Sequence, residues 1–207
     1  MSVASSAALP LPGPRVLADL VPSVVARDAV LVLGGAALTG LAAQIAIPMP
    51  GTPVPLTLQT LAALLVGASL GWRRGFAALA LYALVGTLGV PWFADGASGW
   101  RLASFGYILG FAVAAALVGW LAERGVDRKI IPTALAMVLG NVVIYACGVP
   151  VLMAATGLDL GTALSKGVLP FVLTDAIKIA AAAGILPAAW ALVRRIRGDI
   201  SPRRDPR

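Results

Sequence analysis

Histidine is absent from this chain and cysteine occurs once, at Cys147. The first absence excludes histidine metal sites and histidine proton relays. The second excludes an internal disulfide and a cysteine metal cluster. A lone cysteine in an apolar run reads as a small packing residue. Charge is scarce as well: Asp, Glu, Lys and Arg make up 12% of 207 residues, against about 25% in a soluble domain. Aromatic residues reach only 6%. No glycine-rich phosphate loop of the nucleotide-hydrolase type occurs, so the chain does not hydrolyse ATP by that chemistry.

What fills the sequence instead is Ala, Leu, Val and Gly, and the apolar fraction is 59%, above the ~45–50% of ordinary globular proteins. Small residues at this density suit helices packed closely in lipid. With about 20 residues per crossing, the hydropathy predicts an all-α membrane protein with six transmembrane helices, at 29–47, 56–70, 75–90, 105–121, 131–154 and 168–193. The second and third are short for a full crossing. A polar, Pro- and Ser-rich tail (1–28) precedes this membrane domain (29–194), and a basic tail (195–207) follows it. The first tail lacks the basic start and clean apolar core of a signal peptide.

The net charge of +7 is a topology signal and does not point to nucleic acid. Arg15 and Arg27, Arg73 and Arg74, Arg124 with Arg128 and Lys129, and the arginines from Arg194 onward all fall on one side of a six-span bundle. Only Arg101 and Lys166 fall on the other. The positive-inside rule then places both termini in the cytoplasm.

The polar residues left within the spans are few. Asp175 and Lys178 sit three apart in the last span, hence on one helix face. Charge at membrane depth is costly and persists when paired or lining a polar cavity. One reading is an ion pair that only braces packing; the other is a polar site for a small molecule. Asn141 and Tyr145, one turn apart in span five, and Thr174 beside Asp175 extend the polar set. Such groups fit a rigid guest with several donors and acceptors. A cyclic urea is one: its N–H groups suit the Asp175 carboxylate, and its carbonyl suits Asn141 or Lys178.

The first outer loop, Ile47-Pro48-Met49-Pro50-Gly51-Thr52-Pro53-Val54-Pro55, is stiff and uncharged, either a rigid turn or a cover over a cavity. Gln59 follows it directly. Arg101, in the loop that leads to Tyr107, would meet an anionic ligand tail entering from outside. In span one Gly35, Thr39 and Ala43, with Ala36 and Gly40, form a small-residue stripe that either packs inside the bundle or docks a membrane partner. No serine or cysteine nucleophile stands beside a base and no two intramembrane carboxylates pair, which argues against an enzyme.

Together, Pro50-Gly51-Thr52-Pro53-Val54-Pro55-Leu56-Thr57-Leu58-Gln59-Thr60-Leu61, Leu70-Gly71-Trp72-Arg73-Arg74-Gly75, Leu84-Val85-Gly86-Thr87-Leu88-Gly89-Val90-Pro91, Gly106-Tyr107-Ile108-Leu109-Gly110-Phe111, Leu139-Gly140-Asn141 and Leu169-Pro170-Phe171 with Asp175 and Lys178 make the chain similar to the BioY family. These are biotin-specific substrate-capture (S) components of energy-coupling-factor (ECF) vitamin transporters. The resemblance implies an S-component fold in the bacterial inner membrane and high-affinity binding of biotin as cargo, with no cofactor. It implies a membrane coupling protein and two cytoplasmic ATPases as partners, although some members of the family are thought to act without them. Asp175, Lys178, Asn141, Arg101, Tyr107 and Gln59 are the expected substrate-binding residues, with either Lys178 or Arg101 meeting the biotin carboxylate. Two departures stand out. Ala103-Ser104-Phe105-Gly106 replaces the family's frequent Pro-Thr-Gly-Gly, and Thr174 stands where glycine more often precedes the acidic residue. The alternatives are another small vitamin as cargo, or a structural membrane subunit.

Overall fold

A computed structural model describes residues 15–20 and 25–200. Seven α-helices account for most of them: α1 Val25–Gln44, α2 Gln59–Leu70, α3 Trp72–Thr87, α4 Phe105–Ala122, α5 Ile130–Thr156, α6 Leu160–Gly167 and α7 Val172–Ile200. A two-stranded antiparallel pair, β1 Ala46–Ile47 and β2 Leu56–Thr57, closes the proline loop between α1 and α2. Most of the first tail and the end of the second lie outside the described residues. The part that is described packs: Val16, just before a 3₁₀ turn at Leu17–Leu20, and Ala18 within it are buried against the core.

Four stretches are long and apolar enough to cross a membrane: Ala26–Gln44, Phe105–Ala122, Ile130–Thr156 and Leu160–Ile196. The last joins α6, a 3₁₀ turn at Leu169–Phe171 and α7. The helix α2 is apolar but has only 12 residues, about 18 Å of rise. Helix α3 has 16.

Each of the six expected stretches falls on a helix, the last running on to Ile200, although among the described residues only four stretches are long and apolar enough to cross; α6 and the strand pair are additions. Helix α6 is short, and its start is set by one side chain. Asp159 accepts hydrogen bonds from the Thr162 hydroxyl at 2.6 Å and the Thr162 N–H at 3.1 Å. Those bonds satisfy an orphan donor of the first turn and hold the Asp159 carboxyl below its ordinary pKa. The α2–α3 junction is a single residue, Gly71, with φ 83°, a conformation open to glycine. Glu123 at the end of α4 accepts from the Trp72 N–H at 3.1 Å and so caps α3.

Helix α4 is the centre of the bundle. It packs most extensively on α5, then on α2 and α3, and Ala114, Ala115, Val118 and Ala122 on it are buried. Alanine and glycine let these helices approach closely. The small-residue stripe of α1 faces the same way: Ala36, Thr39 and Ala43 are fully enclosed, Gly35 lies against Ala78 and Val66, and Gly40 lies against Trp92. The stripe therefore packs within the bundle. The outward face of α1 carries Val30, Leu33, Leu38 and Leu41 instead. At one end of the bundle Arg15, Arg73 and Arg74 gather with Asp28 and Glu123 around a polar groove, and Arg74 pairs with Asp28 at 3.2 Å.

Candidate functional site

A cleft opens at the end of the bundle opposite those arginines. Helix starts supply most of its wall: Gln59 and Thr60 from α2, Tyr107 and Phe111 from α4, Asp175 and Lys178 from α7. Ile144 and Tyr145 of α5 complete it, and Val54, Pro55 and Thr57 of the hairpin cover it. The space between these atoms, mouth included, is about 550 Å³. Its lining is mostly apolar with a few convergent polar groups, the usual make-up of a small-molecule site.

The polar centre is a tight set of contacts. Lys178 Nζ lies 2.9 Å from Asp175 Oδ1 and donates to Thr60 Oγ1 at 2.9 Å. The Tyr145 hydroxyl donates to Asp175 Oδ2 at 2.5 Å, and the Thr60 hydroxyl lies 3.4 Å from Asp175 Oδ1. Asp175 is 4% exposed and Lys178 9%. One acid and one base so deeply buried require each other, because an uncompensated buried charge costs several kcal/mol.

Two expected residues line the cleft as walls with their polar atoms already engaged. Gln59 donates through Nε2 to the Tyr82 hydroxyl at 2.6 Å and accepts from the Thr57 hydroxyl at 3.0 Å. Tyr82 is itself enclosed and donates to the Trp92 carbonyl at 3.3 Å, tying the cleft wall to the loop before α4. Tyr107 donates to the Gly167 carbonyl at 2.9 Å. Its ring lies on Gly148, where a methyl group would overlap it.

The other two expected residues stand apart. Asn141 is buried on the far side of Lys178, in a separate small cavity, and does not line the cleft. Arg101 is exposed, with its guanidinium 5.0 Å from the Trp100 ring centre, and also lies outside the lining. Thr60 was not anticipated. It lies 115 residues from Asp175 in sequence, and a threonine opening an apolar helix carries no signal of its partner.

A second buried carboxylate lies at the arginine end, against Trp190, which is ~22 Å along α7 from Asp175. Asp127, between α4 and α5, is 3% exposed and accepts from Trp190 Nε1 at 2.6 Å through Oδ2. Its Oδ1 has no hydrogen-bond partner. Burial pushes its carboxyl pKa up, against the opposing pull of the Trp190 hydrogen bond and of Arg128.

A helical bundle with long apolar spans and an ion-paired cleft at one end defines a multi-pass membrane protein with an internal polar site. The chain belongs to the BioY family, whose sequence pattern matches residues 14–195. Biotin transporter BioY2 of Lactococcus lactis is 35% identical over 151 residues, 72% of this chain and 81% of that protein. Biotin transporter BioY of Thermotoga maritima is 38% identical over 151 residues, 71% and 86% of the two. That of Rhizobium etli is 33% identical over 170 residues, 76% and 89%. The fold matches the crystal structure of the S-component for biotin from an ECF-type ABC transporter. The TM-score is 0.73 at 20% identity, covering 80% of this chain and 92% of that one.

Proposed function

We propose that this protein binds biotin and supports its uptake as the substrate-specific component of an ECF-type transporter. The observation that carries the reading is the Asp175–Lys178 pair, seated in the wall of the cleft and shared with Thr60 and Tyr145. A brace between helices needs no cleft beside it. The Asp175 carboxylate accepts from the two ureido N–H groups of biotin. Lys178 serves the ring carbonyl, and Asn141 completes this end from behind Lys178. Tyr107 and Gln59 enclose the apolar part. Arg101, at the surface on the loop before α4, draws in the valerate carboxylate. The cleft is narrow, so a bicyclic guest displaces part of the hairpin or loop cover on entry.

In this reading the chain crosses the inner membrane of a bacterium six times, with 29–194 as the membrane domain and both tails in the cytoplasm. The gathering of Arg15, Arg73 and Arg74 at the end opposite the cleft supports that orientation. The partners are a membrane coupling protein and two cytoplasmic ATPases.

Equilibrium binding of biotin to detergent-purified protein, beside a panel of other small vitamins, tests the cargo. Saturable biotin binding that the other vitamins do not displace is the expected result. Preferential binding of another vitamin would reassign the cargo, and no stabilising ligand at all would favour a structural subunit. Biotin uptake in cells with and without an ATPase module tests the partners.

A further inference from the structure

Among the described residues, Asn141 Oδ1 is one of two buried side-chain oxygens with no hydrogen-bond partner. Native interiors leave few such atoms, and each calls for a physical cause. Asn141 is 6% exposed, and its Nδ2 donates to the Met137 carbonyl 3.3 Å away, one turn earlier in α5. The amide is thus held at its nitrogen and open at its oxygen.

The small cavity that Asn141 lines is otherwise walled by Thr60, Lys178 and apolar side chains such as Leu64 and Met137. Lys178 Nζ donates to Thr60 Oγ1 and to Asp175 Oδ1. An ammonium has three N–H bonds, so these contacts leave one. A spare donor and an orphan acceptor therefore border one cavity, which has room for about one water molecule. Thr60 Oγ1 is a third polar neighbour, within the range of partners a buried water uses.

We propose that this cavity is an ordered-water site bridging Asn141 Oδ1 to Lys178 Nζ, and that Asn141 is a positioning residue acting on the ligand through Lys178. The ammonium is then held on three sides, by Thr60, Asp175 and the water. It keeps two acceptors when a guest competes for the Asp175 carboxylate, so it stays in place beside the ring it serves. This second step rests on the biotin reading. The water site does not.

Two measurements separate them. The first is an experimental structure of the ligand-free protein at a resolution that shows water. Density within hydrogen-bond distance of both Asn141 Oδ1 and Lys178 Nζ supports the site; its absence overturns it, whatever the cargo. The second is biotin affinity and unfolding midpoint for Asn141→Leu and Asn141→Ser. Leucine fills the cavity and removes the acceptor, and about a tenfold loss of affinity is expected with a midpoint close to the parent's. Serine keeps a hydroxyl beside a slightly larger water space, and affinity within about threefold of the parent is expected. A serine variant as weak as the leucine variant would mean that the amide itself touches the ligand, and parental affinity in the leucine variant would remove any role. If the leucine variant does not fold, the serine variant and the ligand-free structure still decide. A parent protein that binds no biotin defeats the cargo reading and leaves the water site to the structural test.

Discussion

Asp175 and Asp127 are equally hidden, at 4% and 3% exposure, yet they are equipped differently. Asp175 has an ammonium, a tyrosine hydroxyl and a threonine around it, and it faces a cleft. Asp127 has one indole N–H and a carboxylate oxygen with nothing to accept from. Burial alone therefore does not distinguish the proposed ligand-binding carboxylate from the other. What separates the two is a full set of matched partners placed beside open space, which lets a guest exchange for contacts already made. Asp127 instead joins the α4–α5 connection to α7 through Trp190.

The sharpest way to break this contrast is Lys178→Met. It leaves Asp175 buried without its cation, and removing one member of a buried pair costs about 3–5 kcal/mol. A large fall in the unfolding midpoint is expected. The double variant Asp175→Leu with Lys178→Met should recover most of that stability while binding stays lost, which separates gripping from bracing. Next in size is Asp175→Asn. A hydrogen bond to a charged group is worth about 1.5–3 kcal/mol and a neutral one about half that, so affinity for biotin should fall roughly tenfold, and the unfolding midpoint should fall as well because Lys178 loses its counter-charge. Unchanged affinity would remove Asp175 from the site.

Asp127→Asn sharpens the other side. A carboxyl whose folded pKa lies above its ordinary value of 3.8 binds its proton more tightly when folded. Its contribution to stability is whole below that ordinary value and is lost as pH rises through the raised one. The parent should lose stability over that window. The asparagine variant should be flat across it and more stable above it by about 1 kcal/mol, as read from unfolding midpoints against pH. The smallest effect expected is that of Arg101→Gln. An exposed charge at the entrance chiefly steers encounter, so the association rate for biotin should drop several-fold and lose its salt dependence while the unfolding midpoint stays put.

The long helices were legible because their apolar runs are long and the arginines punctuate them. The Asp175–Lys178 pair was legible because an i,i+3 spacing fixes a shared face. Helix α6 was not, since its eight residues are amphipathic but too few to separate from the long apolar run that follows them. Asp159 followed three residues later by Thr162 was the one local clue to its start. The hairpin of two-residue strands has no periodicity to read. Thr60 and the inward placement of Asn141 depend on how α2, α5 and α7 lie against one another, which no single stretch encodes.

The five tryptophans fall into two bands. Trp72, Trp120 and Trp190 lie at the arginine end, each with a guanidinium over its ring. Trp92 and Trp100 lie in the loop that leads to the cleft. The chain thus carries its own optical depth gauge. Single-indole versions, read with a quencher confined to one face of a vesicle, would report which way up the molecule sits and how far each rim lies from the lipid midplane.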